Sequence, residues 1–132
     1  MDNGIILKDE VFAIVGAAME VSRVIGHGFH EKAYENALVT ELRLRGIAWE
    51  QQKRFPLNYK GATVAEFVPD LIAYGKVVVD TKTIDRLGPQ ETGQMLNYLR
   101  ITGHSVGVLL NFKHSRLEWR RIVLTSHPVT ET

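Results

Sequence analysis

The chain has 132 residues, 45% of them hydrophobic and 23% charged, which fits one globular domain over residues 1–132 with a core at about 8–124. Its formal net charge of +1 excludes a strongly basic nucleic-acid binder, although a local basic patch can still be present. Without cysteines, a signal peptide or a long apolar run, the sequence predicts a soluble cytoplasmic protein with no disulfide, no thiolate metal site and no membrane partner.

Two amphipathic helices are predicted at the start of the chain. The segment from Lys8 to Ile25 carries apolar residues at close to helical spacing and is followed by Gly26. The segment from about His30 to Arg45 repeats the pattern and ends before Gly46.

The rest of the chain is predicted to consist mainly of strands. Strands with intervening turns are expected from Ile47 to Lys82, a helix from Gln90 to Ile101, and two further strands at Ser105 to Asn111 and Leu117 to Leu124. Residues 125–132 form a polar tail. The order α-α-β-β-β-α-β-β predicts an α/β domain, with a mixed sheet flanked by helices.

The most informative segment runs from Pro69 to Lys82. It contains Asp70, nine intervening residues, and then Asp80 and Lys82 within an apolar strand. Because residues two apart on a strand share a face, Asp80 and Lys82 should project in the same direction. Charged side chains that are buried need an oppositely charged partner or a metal. Two acids and a lysine in this order are a recurrent way to hold a divalent metal against a phosphodiester. The alternative is an Asp80–Lys82 ion pair at a sheet end.

The turn at Tyr74-Gly75-Lys76 decides whether the two acids share a face. A two-residue turn would pair Tyr74 with Val77 and would place Asp70 and Asp80 on opposite faces. A three-residue turn, or a bulge near Pro69, restores the shared face. A metal site therefore requires one of these two irregularities.

A second motif lies between the first two helices, where Gly28 to Tyr34 reads Gly-x-x-Glu-x-x-Tyr. Further matches follow in collinear order over roughly Val11 to Leu124: Phe67-x-x-Asp70, Asp80-x-Lys82, Gln94-x-x-x-Tyr98 and Asn111-Phe112. This set resembles the GxxExxY protein family of the PD-(D/E)XK nuclease-like superfamily. The resemblance implies a restriction-endonuclease-like core and a nuclease that cleaves DNA or RNA with Mg²⁺, or alternatively Mn²⁺.

The resemblance also implies a metal site. Asp70 and Asp80 would bind the cation, the Thr81 carbonyl would add an oxygen, and Glu31 would reach it directly or through water. Glu31 has an alternative role as a first-turn acid favoured by the helix dipole. The family usually has glutamate at position 80 and an apolar residue at position 81, so metal affinity or preference should differ in this chain.

Three more residues would complete the catalytic set. Lys82 would lie beside the attacking water and stabilise the transition state. Gln94 and Tyr98, four residues apart on one helical face, would orient Lys82, the water and the phosphate. Tyr34 is expected to be a packing residue that hydrogen-bonds an acid.

Basic residues provide a candidate nucleic-acid surface, with a solvated charged face as the alternative: Arg100, Lys113, Arg120 and Arg121. No ladder of aromatic residues suitable for stacking bases is evident. A domain of this size has little surface for sequence readout, so dimerisation or a protein partner is expected to supply substrate choice. The rival function is a catalytically inactive module of the same fold that binds nucleic acid or a partner protein.

Overall fold

Residues 5–125, which the computed structural model describes, form three helices and seven strands. The helices are α1 (Lys8–Ile25), α2 (Glu31–Leu44) and α3 (Pro89–Thr102). The strands are β1 (Trp49–Gln51), β2 (Phe55–Tyr59), β3 (Ala62–Phe67), β4 (Leu71–Ala73), β5 (Val77–Lys82), β6 (Val106–Asn111) and β7 (Glu118–Val123). The predicted α/β class and element order are confirmed, and the strand region before α3 divides into five short strands.

Five strands form the central sheet in the order β1-β4-β5-β6-β7. β5 and β6 run parallel, and the other neighbouring pairs are antiparallel. β6 is buried along its whole length, as its continuous apolar run predicts for a sheet centre. β2 and β3 form a separate two-stranded hairpin.

Helices cover both faces of the central sheet. The core on the α1 and α2 side contains Val77 and Val79 of β5, whereas the core on the α3 side contains Val78 with Met95 and Leu99. This alternation along β5 directs Asp80 and Lys82 toward the α3 side, as the strand period predicts.

The turn between α1 and α2 is fixed by Tyr34. This side chain is fully buried, and its ring stacks on Phe112 with centroids 4.6 Å apart. Its hydroxyl donates to the Gly26 carbonyl at 2.8 Å and accepts the Phe29 N–H at 3.3 Å. The packing role of Tyr34 is as predicted. The prediction that it hydrogen-bonds an acid is wrong, because its hydroxyl bonds to the backbone of Gly26 and Phe29.

Apart from Thr125, the predicted polar tail at residues 125–132 lies outside the described residues. None of the helices within residues 5–125 combines the length and apolarity needed to cross a bilayer.

Candidate active site

The β4–β5 hairpin places the two acids opposite each other. Ala73 pairs with Val77 and Leu71 with Val79 around the three-residue turn Tyr74-Gly75-Lys76. Tyr74 and Gly75 both adopt left-handed conformations, with φ of 60° and 66°, which lets the turn accommodate the extra residue. Continuing this register places Asp70 opposite Asp80. The three-residue alternative is therefore confirmed, and the acids share a face.

Hydrogen bonds lock the two carboxylates together. The N–H of Asp70 donates to Asp80 Oδ1 at 3.1 Å. In the opposite direction, the N–H and the hydroxyl of Thr81 both donate to Asp70 Oδ2, each at 2.8 Å. Each carboxylate is thus oriented by groups on the opposite arm of the hairpin. The second residue of the Asp80-x-Lys82 motif, expected to supply only a carbonyl, contributes a hydroxyl as well.

The pair is short of compensating positive charge. Asp80 is only 4% exposed, and its burial, together with the charge of Asp70, raises its pKa to about 7. Burial also raises the pKa of Asp70, against the two hydrogen bonds from Thr81, which lower it. A bound cation would relieve both effects, because it favours the charged forms of the acids.

Lys82 and α3 complete the arrangement. Lys82 Nζ donates to Gln94 Oε1 at 2.7 Å and lies 3.8 Å from Asp80 Oδ2. The ring of Tyr98 packs edge-on against Phe67, with centroids 5.7 Å apart. Burial and then the charges of Asp80 and Asp70 raise the pKa of Tyr98 to about 12, so its hydroxyl keeps its proton. The structure thus places Gln94 beside Lys82, and Tyr98 within the field of both acids.

α2 brings two glutamates to the other side of the site. Glu31 accepts the Thr83 N–H at 3.3 Å, and its charge contributes to the raised pKa of Asp80. Glu35 is only 3% exposed and accepts hydrogen bonds from Lys32 at 3.0 Å, Gln51 at 2.8 Å and Gln52 at 2.9 Å.

Glu35 is the nearby acid that sequence reasoning missed. Its charge contributes to the raised pKa of Asp70, so it belongs to the surroundings of the acid pair. The available signal was its position one helical turn after Glu31, beside the buried Tyr34 and in phase with Leu38 and Leu42.

The acid pair fits a cation that keeps part of its water shell. Within residues 5–125, no three histidine, cysteine, aspartate or glutamate side chains come together closely enough to hold a metal on their own. Mg²⁺ commonly takes one or two carboxylates and completes its octahedron with water and phosphate oxygens. Asp70 and Asp80 are the residues that meet this requirement.

The structure does not bring the predicted basic residues together on one surface. Arg120 and Arg121 are consecutive in β7 and point to opposite faces. Arg120 donates to Thr92 Oγ1 and the Leu87 carbonyl, each at 3.2 Å, whereas Arg121 donates to the Ile6 carbonyl. Arg100 is exposed on α3 and donates to Asn97, while Lys113 lines a pocket that also contains Thr83.

The chain matches the family model of the PD-(D/E)XK nuclease superfamily over residues 8–122. Comparisons with curated proteins and with solved structures gave no match. The matched range includes both helices that flank the acid pair, the β4–β5 hairpin and Lys82. On this evidence, the chain belongs to the PD-(D/E)XK nuclease superfamily.

Proposed function

We propose that this protein is a nuclease that uses a divalent metal to hydrolyse phosphodiester bonds in DNA or RNA. One observation carries the proposal: Asp70 and Asp80 face each other across a hairpin, and Lys82 lies 3.8 Å from Asp80 on the same side. Burial raises the pKa of both the buried Asp80 and the half-buried Asp70, a bound cation would favour their charged forms, and the adjacent ammonium group suits an anionic substrate.

Asp70 and Asp80 would hold one Mg²⁺ or Mn²⁺, with the Thr81 carbonyl and a water-mediated contact from Glu31 as further ligands. Such a cation supplies Lewis-acid polarisation of the phosphate and makes a water molecule more acidic. Thr81 keeps the Asp70 carboxylate oriented through two hydrogen bonds of 2.8 Å. The hydrogen bond that Glu31 accepts from the Thr83 N–H at 3.3 Å supports a role for this acid at the edge of the site.

Lys82 would stabilise the negative charge that develops on the phosphate during cleavage. Gln94 Oε1 accepts a hydrogen bond from Lys82 Nζ at 2.7 Å and so fixes the direction of the ammonium group. Tyr98 keeps its proton and can donate a hydrogen bond to a phosphate oxygen or to water. The three residues would thus orient substrate and water against the metal.

The test is a cleavage assay with labelled single- and double-stranded DNA and RNA, in Mg²⁺, in Mn²⁺ and in EDTA. We expect metal-dependent cleavage that EDTA removes and that Lys82→Ala lacks. Lack of cleavage of every substrate in both metals would overturn the nuclease proposal.

A second candidate is a module that binds nucleic acid or a partner protein without catalysis. The observation that favours this function is the small number of side chains that could bind a metal. Within the described residues, no three histidine, cysteine, aspartate or glutamate side chains are grouped closely enough to hold a metal ion. Salt-sensitive nucleic-acid binding without cleavage in the same assay would favour this function, and a lack of both would favour a protein partner or homodimer.

A further inference from the structure

A pocket of about 350 Å³ lies at the turn between α1 and α2, beyond the ends of β5 and β6. The turn between α1 and α2 and the residues after β5 and β6 line it: His27, Gly28, Phe29, His30, Thr83 and Lys113. This volume is at the lower end of the range of ligand sites. The pocket can therefore admit one nucleotide-sized group and is too small for a duplex.

A hydrogen bond between Thr83 and Glu31 links the pocket to the proposed metal site. Thr83 lines the pocket and directly follows the active-site strand, and its N–H donates to the Glu31 carboxylate at 3.3 Å. The charge of Glu31 in turn acts on Asp80. A group bound in the pocket would thus lie on the Glu31 side of a phosphodiester held by the acids.

The turn that forms the other wall is held in place. The Tyr34 hydroxyl hydrogen-bonds the turn backbone at Gly26 and Phe29. Gly28 has a φ of +107°, a backbone conformation that residues with a side chain rarely adopt. Phe29 nevertheless remains 54% exposed, with its ring 6.2 Å from that of Tyr34 at an interplanar angle of 66°. An aromatic ring exposed on a fixed turn is a suitable platform for a base.

The polar groups of the pocket suit a phosphate. Lys113 and two histidines line it, and no carboxylate residue is among its lining residues. Among the ion pairs formed within residues 5–125, none involves Lys113. A basic group beside an exposed aromatic ring is the combination that binds single-stranded nucleic acid.

We propose that this pocket binds one unpaired nucleotide of the substrate strand, with its base on Phe29 and a phosphate on Lys113. The proposal rests on the nuclease function and makes it more specific: the preferred substrates are single strands or frayed ends, of DNA or RNA. Blunt duplexes should be poor substrates, because their bases are not free to enter the pocket.

Binding to short labelled oligothymidylate, oligouridylate and a blunt duplex, measured by fluorescence anisotropy in EDTA, tests the proposal. Phe29→Leu keeps apolar bulk but removes the π face, and should weaken single-strand binding about fivefold to a hundredfold. Phe29→Trp should preserve it. The matched control is Phe12→Leu, because Phe12 is 57% exposed on α1 and lies outside the pocket.

Lys113→Gln should weaken binding and reduce the slope of log affinity against log salt by about one. Lys76→Gln is its control, since Lys76 is an exposed residue in the β4–β5 turn, at the opposite end of β5 from Lys82. Unchanged single-strand binding in Phe29→Leu, equal weakening in the control variants, or equally tight duplex binding would overturn the pocket assignment.

The two proposals can fail separately. If wild type binds single strands through Phe29 and Lys113 but cleaves nothing in either metal, the pocket stands and the nuclease function fails. If wild type cleaves and Phe29→Leu changes neither binding nor cleavage, the nuclease function stands and the pocket assignment fails.

Discussion

Asp70 and Asp80 face each other across the β4–β5 hairpin, with the N–H of Asp70 donating to Asp80 Oδ1 at 3.1 Å. The two carboxylates repel each other when both are ionised, and the burial of Asp80 increases the cost. The hairpin therefore maintains a site whose charge is balanced either by a proton or by a cation. Most of the expected behaviour of this protein follows from that competition.

Magnesium or manganese should bind the wild-type protein at a single site that Asp70→Asn or Asp80→Asn removes. Each substitution keeps the side-chain volume but removes one of the two ligand charges. Isothermal titration calorimetry measures the effect, with Asp9→Asn as control because Asp9 is an exposed acid on α1. Binding that is unchanged in both site variants would refute the metal assignment.

Metal affinity should rise with pH and level off above about pH 7. The pKa of Asp80 is raised to about 7, so below that pH the cation must displace a proton. The apparent association constant should fall about tenfold for each pH unit below 7. Titrations across pH 5–9 check this, and a flat profile would contradict it.

Stability of the metal-free protein should change in the opposite direction. Because the pKa of Asp80 in the folded state is above its ordinary value of 3.8, its contribution to stability is complete below about pH 4 and is lost as the pH rises through 7. Thermal unfolding in EDTA should thus show a fall in Tm from pH 5 to pH 8. Asp80→Asn should reduce this fall relative to Asp9→Asn, and an identical fall in both variants would contradict the assignment.

The sequence predicted the acid–acid–lysine arrangement because strand geometry is periodic. A period of two residues is enough to place Asp80 and Lys82 on one face, and it reduces the hairpin to a choice between two registers. The register itself depended on Tyr74, whose left-handed backbone a sequence does not reveal, because few residues other than glycine adopt it.

Other parts of the site were not predictable for different reasons. Glu35 is buried because Gln51 and Gln52, which lie in and after β1, reach it through tertiary contacts. The separate β2–β3 hairpin carries the same turn signals as a strand pair of the main sheet would. By contrast, the strand period alone was sufficient to show that Arg120 and Arg121 point to opposite faces.

Lys82→Ala should abolish cleavage while leaving metal binding nearly intact, because lysine is not a ligand of magnesium. The loss of a charge that stabilises the transition state corresponds to a rate decrease of about 100-fold or more. Asp80→Glu is the informative companion, since it lengthens the carboxylate by one methylene and should raise activity if the shorter acid is suboptimal. Cleavage that persists in Lys82→Ala would show that another group stabilises the phosphate.

Thr81→Val should lower the favourable free energy of metal binding more than it lowers the free energy of unfolding. Valine keeps the shape of the side chain but removes the hydroxyl that donates to Asp70 Oδ2 at 2.8 Å, which leaves the backbone N–H as that oxygen's remaining donor. We expect a loss of about threefold to tenfold in Mg²⁺ affinity, equivalent to one hydrogen bond. Thr81→Ser keeps the hydroxyl and should bind Mg²⁺ with nearly wild-type affinity, as measured by calorimetry. Equal losses of affinity in Thr81→Val and Thr81→Ser would indicate a packing effect.

Gly107→Ala should destabilise the fold and disturb the site through α3. Gly107 lies in β6 against Met95 of α3, and an added Cβ would overlap the Met95 side chain, lying 2.8 Å from its Cγ. Met95 is fully buried, so it cannot move aside without disturbing its core neighbours. The expected cost is about 1–3 kcal/mol, measured by urea unfolding.

Gly93→Ala is the matched control for this substitution. Gly93 is an exposed residue inside α3, and a Cβ there would meet nothing within 4 Å. Alanine should therefore stabilise the helix by about 0.5–1 kcal/mol. Because Met95 directly follows Gln94, Gly107→Ala should also weaken the Lys82–Gln94 hydrogen bond and lower cleavage, while Gly93→Ala should spare both. A stabilising effect of Gly107→Ala would mean that β6 and α3 are not in the close contact described.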